Sequence, residues 1–228
     1  MNRFFFLPFF LVTATSFAAD SKWHPIWSDE FDGPAIDATK WRVEDAALVK
    51  NNELQYYAPD EVYIEDGKLV LRSRERAMGE REYTSGLVET KGKFSFLYGR
   101  VDIRAKLPRG QGLWPAHWML PADGSWPPEI DIMEIVGSQP EALVMSLHNG
   151  AWPDIDSQSS DHLGPDLSAD FHVFSIEWEP GSLRWLLDGQ QQFAVTEGVP
   201  DKPFYLILNT AVGGMMPGNP DETTVFPQ

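Results

Sequence analysis

Across residues 101–107 apolar and charged side chains alternate without a break, Val-Asp-Ile-Arg-Ala-Lys-Leu, the period of a β-strand with one buried and one wet face. Residues 67–72 and 92–96 read the same way. Residues 171–178 and 183–187 are richer in apolar side chains and predict more central strands, and 204–208 predict another. Asp188-Gly189, placed between two such runs, signals a tight hairpin. Loops rich in Pro, Gly and Asp separate these runs at 108–112, 121–128, 149–170 and 213–221, and the long one at 149–170 is expected to form the rim of a cleft. No long segment carries a helical period. Short strands joined by turns, without intervening helices, predict an all-β fold, an antiparallel sandwich in one domain.

The first residues do not fit that pattern. Arg3 opens a basic start, residues 4–12 form an apolar run, and Ser16, Ala18 and Ala19 supply small side chains, the layout of a secretory signal peptide over residues 1–18. The run is shorter than the ~20 residues a spanning helix needs, and Pro8 interrupts it. The expectation is a secreted protein, periplasmic or extracellular, with residues 19–228 as the domain, no membrane association after cleavage and a monomeric state. The 228 residues include no cysteine, so the domain folds without disulfides and has no thiol chemistry. A formal net charge of −16 repels nucleic acid and anionic membranes and disfavours sulfated polysaccharides, whereas a neutral polymer is unopposed. Nine Trp, 14 Phe and 6 Tyr suit either core packing or a cleft that stacks sugar rings.

Candidate chemistry concentrates in residues 126–137, Trp-Pro-Pro-Glu129-Ile-Asp131-Ile-Met-Glu134-Ile-Val-Gly. Ile130 and Ile132 alternate with Glu129 and Asp131, so a regular strand puts both acids on one face. The same register sends Glu134 into the core, and an unpaired buried carboxylate costs several kcal/mol. One extra residue, a β-bulge around Met133, returns Glu134 to the side of Glu129 and Asp131. Two carboxyls roughly 5–5.5 Å apart serve a retaining glycosidase as nucleophile and acid/base, and a third between them keeps their protonation states unequal. A metal site or a solvated acidic strand fits the same pattern.

Residues 129–134 resemble the active-site strand of glycoside hydrolase family sixteen in its bulged, laminarinase-like form. Further segments resemble laminarinases in matching order: Trp27-Ser-Asp-Glu-Phe31, Asn51-Asn-Glu-Leu-Gln-Tyr-Tyr57, Lys91-Gly-Lys-Phe94, Tyr98-Gly-Arg100, residues 107–120 and Phe171-His-Val-Phe174. The resemblance implies a β-jelly-roll sandwich with a concave substrate cleft and retaining endo-hydrolysis of β-1,3-glucan, with mixed-linkage β-1,3-1,4-glucan as a further substrate. Glu129 matches the nucleophile, Glu134 the acid/base and Asp131 the assisting carboxylate. Trp114 and Trp118 match cleft tryptophans that stack on sugar, against core packing as the alternative. His148 resembles a cleft histidine, or else is a hydrogen-bonded structural one. Asn52 and Glu53 contact sugar hydroxyls or brace a loop. Other functions compatible with the family are hydrolysis of another neutral polysaccharide such as agarose, and non-catalytic β-glucan binding.

Two departures stand out. Met216 occupies a position where laminarinases commonly carry Trp, which removes a stacking platform. The sequence also ends at Gln228, where the family continues into one last strand of the convex sheet; that strand's absence is expected to expose hydrogen-bonding edges on its neighbours and to weaken the fold. No cofactor is required by the chemistry. The resemblance implies a structural calcium, with Glu30 and the carbonyl of Gly67 as ligands, a short set for an ion that takes six to eight oxygens.

Overall fold

The structure, a computed structural model, describes residues 22–228; the signal peptide expected at residues 1–18 lies outside them. Two sheets dominate. The larger has seven strands in the order β1 (Arg42–Val43), β7 (Leu87–Glu89), β16 (Phe204–Val212), β9 (Leu113–Pro121), β10 (Glu129–Glu134), β11 (Ala142–Ala151) and β12 (Asp154–Leu163). The second has four, in the order β15 (Gln190–Val195), β14 (Ser182–Leu187), β13 (His172–Glu179) and β8 (Gly99–Ala105). Pairing within both is antiparallel throughout. Two small sheets complete the fold, β2 (Gln55–Tyr57) with β6 (Arg81–Ser85) and β5 (Arg74–Met78), and the hairpin of β3 (Val62–Glu65) with β4 (Lys68–Leu71). The β2–β6 pair is parallel. The only helical element among the described residues is a single 3-10 turn at Pro59–Glu61.

The two large sheets pack face to face as a sandwich. Met119, Ile130, Ile132, Met133, Leu143, Met145 and Leu147 of the seven-stranded sheet meet Phe174, Ile176, Trp178, Leu183, Trp185 and Leu187 of the other in one buried cluster. The indole N–H of Trp185 crosses the layer to the main-chain carbonyl of Asp131, 2.8 Å away, and so pins the strand that carries the acids from beneath. The opposite face of the seven-stranded sheet is covered on one half only. There Tyr57 of β2 packs with Leu87, Tyr205 and Ile207 in a second buried cluster that Leu48, Trp118 and Leu120 border. The other half, β9 to β12, carries the acids and stays open.

Strand β8 alternates as its sequence requires, and β13, β14 and β16 lie where apolar runs placed strands, β16 extending on to Val212. The hairpin at Asp188-Gly189 is present, with φ of 49° and 77°, the double left-handed geometry of a tight primed turn. Two expectations fail. Residues 92–96 make no strand: Gly92 has φ 71°, the Thr90 carbonyl accepts from both Lys93 and Phe94 N–H groups, and only an isolated bridge joins Phe96 to Phe204. Residues 149–170 are not one long loop. They contain β12, which pairs with β11 over ten consecutive positions from Ala142↔Leu163 to Ala151↔Asp154. In the second sheet β8 is an edge strand, and β4 pairs only with β3 among the described residues.

Candidate active site

The strand β10 lies between β9 and β11, and its register slips once. Against β9, Asp131 faces Trp118 and Met133 faces His117, so two residues of β10 span one step of its neighbour. Against β11 the slip falls between Asp131 and Glu134. Ile132 and Met133 are both buried in the inter-sheet core, and Glu134 emerges on the side of Glu129 and Asp131. The bulge expected around Met133 is therefore present.

Each outer acid accepts a hydrogen bond from a tryptophan. Trp126 Nε1–H donates to Glu129 Oε2 at 2.7 Å, and Trp114 Nε1–H donates to Glu134 Oε1 at 2.9 Å. Asp131, 2% exposed, lies between them. Burial, the charge of Glu129 and a hydrogen bond with Glu129 hold the Asp131 carboxyl well above the usual carboxylate range. Burial first, then the charges of Asp131 and Glu129, push Glu134 up to about 8, against the opposing pull of the Trp114 N–H and His148. The protonated form of Glu134 is thus favoured at neutral pH. His148, opposite Glu129 on β11, sits with Nε2 2.9 Å from Asp131 Oδ2, off the alignment of a hydrogen bond, and its Nδ1 is 2.7 Å from Ser157 Oγ. It is both a member of the acid cluster and a side chain braced by its own hairpin.

The remaining candidates separate. Trp118 stands on the open face beside Asp131, its Nε1–H donating to Asn209 Oδ1 at 2.7 Å and its ring lying under the Lys50 ammonium at 4.5 Å. Asn209 in turn donates to Tyr57 Oη at 2.9 Å, and Tyr57 donates to Glu53 Oε2 at 3.3 Å, which Gln55 Nε2 also reaches at 2.7 Å. Glu53, 4% exposed, ends this buried chain. Asn52 is exposed at φ 57°, in the depression lined by Val49, Lys50, Asn51, Glu53, Leu54 and Arg81. Met216 and Met215 are exposed on the loop whose Gly214 lies against the Trp114 ring.

Glu30 lines a depression with Asp29, Asp32 and Asp37, and Gly67 is not among its lining residues. Asp29 is already engaged by the Trp41 indole at 2.9 Å, the Phe31 N–H at 3.0 Å and Lys40 at 3.7 Å. Among the described residues the one group of three acids and histidines with ligand atoms close enough for a single ion is Glu129, Asp131 and His148, within 4.8 Å of one another. One carboxylate and one carbonyl fall short of the six to eight oxygens that calcium takes.

The sequence reading did not assign Trp126, Asn209 and Tyr57. Trp126 alone carried a signal, three positions before Glu129 in the same segment, because an indole N–H is a donor with no other use beside a carboxylate.

Residues 49–225 match the model for glycosyl hydrolases family 16. A β-glucanase of Rhodothermus marinus is 35% identical, with 96% of this chain and 87% of that protein covered. A glucan endo-1,3-β-glucosidase A1 of Niallia circulans is 38% identical over 85% of this chain, which spans only 34% of that relative's length. The laminarinase catalytic domain of Thermotoga maritima superimposes with a TM-score of 0.84 at 39% identity, covering 91% of this chain and 94% of its own.

Proposed function

The chain belongs to glycosyl hydrolases family 16, and on that ground we propose that it is an endo-acting hydrolase of β-1,3-glucosidic bonds, retaining the anomeric configuration and accepting mixed-linkage β-1,3-1,4-glucan as well. The observation that carries the reading is the bulge, which brings Glu129 and Glu134 to one open face, where burial pushes Glu134 up to about 8. The neutral substrate suits a chain of net charge −16. Export through a cleaved leader at residues 1–18, and action as a monomer, complete the proposal.

The chemistry follows from what each carboxyl can do. Protonated Glu134 gives its proton to the glycosidic oxygen as the C–O bond breaks, while Glu129 attacks the anomeric carbon and forms a glycosyl ester. Glu134, now ionised, takes a proton from water, whose oxygen attacks the same carbon and releases Glu129. Asp131 and the Trp126 N–H both contact Glu129 and hold it in place; a proton on Asp131 also spares the site a third negative charge. Trp114 orients Glu134. Trp118 offers an apolar face to a sugar ring beside the acids.

Release of reducing ends from laminarin and lichenan, with none from agarose, is the expected outcome. Glu129→Ala and Glu134→Ala should each abolish turnover while leaving the melting transition in place. Azide added to Glu129→Ala should restore partial activity and give the inverted glycosyl azide; a retained azide product would overturn the nucleophile assignment.

A further inference from the structure

Two exposed tryptophans stand together beside Glu129. Trp126 is 47% exposed and Trp152 is 75% exposed; their ring centroids are 6.2 Å apart with the planes tilted by 42°. The hydrogen bond from Trp126 to Glu129 fixes the first ring against the acid cluster. The second occupies, with Pro153, the two-residue turn between β11 and β12, four positions beyond His148, which faces Glu129 across the strands. Nothing in folding calls for an indole at that turn. The strand that follows it is Asp-Ile-Asp-Ser-Gln-Ser-Ser-Asp-His-Leu, paired only with β11 and mostly exposed, and the sandwich core lies on the other side of the sheet.

We propose that Trp126 and Trp152 form an outer stacking site for a neutral glucosyl unit of the substrate, away from the bond being cut and on the Glu129 side of the acids. A pyranose presents a flat face of C–H groups that an indole covers, and its hydroxyls need acceptors. Asp154 and Asp156, at the same end of the hairpin, supply carboxylate acceptors and repel sulfated or carboxylated sugars. One ring is held by the active-site strand and the other by a hairpin tip, so the pair reads chain length: only a substrate long enough to reach Trp152 gains both contacts. This proposal rests on the β-glucanase reading and adds a determinant of substrate length to it.

Removing roughly 60 Å² of apolar surface from water corresponds to about a tenfold change in an equilibrium. Steady-state kinetics on β-1,3-gluco-oligosaccharides should show the ratio of kcat/KM for the hexasaccharide to that for the trisaccharide falling about tenfold in Trp152→Ala. Trp152→Phe should restore most of that ratio, and Leu163→Ala, at the far end of the same hairpin and equally exposed, should leave it at the wild-type value. Calorimetric titration with the hexasaccharide, with and without Trp152→Ala in the Glu129→Ala background, gives a second readout that needs no turnover. Active wild type with an unchanged ratio and unchanged binding in Trp152→Ala overturns the stacking site and leaves the glucanase reading standing. Wild type that cuts no glucan but binds the hexasaccharide, and loses that binding in Trp152→Ala, overturns the glucanase reading and supports the stacking site. Wild type that neither cuts nor binds overturns both.

Discussion

At the scale of single residues the site is a set of carboxyls made unequal by their surroundings. Glu134 is the informative one, because burial and its neighbours hold its proton up to about pH 8. Its pKa is raised on folding, so the stability it contributes is complete below about pH 4.5 and is lost as pH rises toward 8. Glu134→Gln keeps the shape and removes the titration. The variant should lose about 10³-fold in kcat through the missing proton donor. In thermal melts it should also exceed wild type by about 1–3 kcal/mol at pH 7, with the gap closing near pH 4.5. In wild type, kcat should fall above about pH 8 as the proton leaves. Equal melting curves across this range would contradict the protonated state assigned to Glu134.

At the scale of elements the controlling fact is parity along β10. The acids share a face because one of Ile132 and Met133 is extra, and both are buried. Deleting Met133 restores strict alternation and still leaves Glu129, Asp131 and Glu134 on one side; deleting Ile130 moves Glu129 to the core side. The first deletion should fold with a loss of about 2–4 kcal/mol of core packing and retain measurable hydrolysis. The second should retain none. Hydrolysis assays on the two purified variants, matched by circular dichroism, would decide it. This slip was legible in the sequence because a regular register would have buried Glu134 without a partner. The Asp188-Gly189 turn was legible for an equally local reason, since both positions need positive φ. Strand β12 was not: its Ser, Asp and Gln side chains carry no apolar period, and it exists through main-chain pairing to β11. The role of Glu53 was not legible either, because its partners Tyr57 and Asn209 meet only after β2 and β16 come together.

The whole molecule balances opposite titrations across its core. His117 of β9 is buried against Phe174 with Nδ1 unpartnered, and burial lowers its pKa to about 3. The unfolded chain protonates that ring below about 6.5 and the folded one does not, so its contribution to stability falls as pH drops from 6.5 toward 3. Glu134 and Asp131 slope the other way, losing stability as pH rises. Between about 4.5 and 6.5 the slopes of His117 and Glu134 cancel, and Asp131 tips the balance toward acid. Melting temperature should therefore peak on the acid side of neutrality. His117→Leu should be the more acid-resistant protein, ahead of wild type by about 3 kcal/mol at pH 4 relative to pH 7. A wild-type maximum at pH 8 or above would refute this balance.

The paired indoles that grip Glu129 and Glu134 carry one more consequence. A protein without cysteine has no thiol to lose to oxidants, yet here an exposed ring is the hydrogen-bond donor to Glu129, the nucleophile of the proposed reaction. Opening the Trp126 indole to a kynurenine-type product would erase that donor and loosen Glu129 with every carboxylate still intact. Peroxide or photochemical damage would reach this ring well before the enclosed Trp178 and Trp185, so the enzyme would fall silent while its sandwich remained whole.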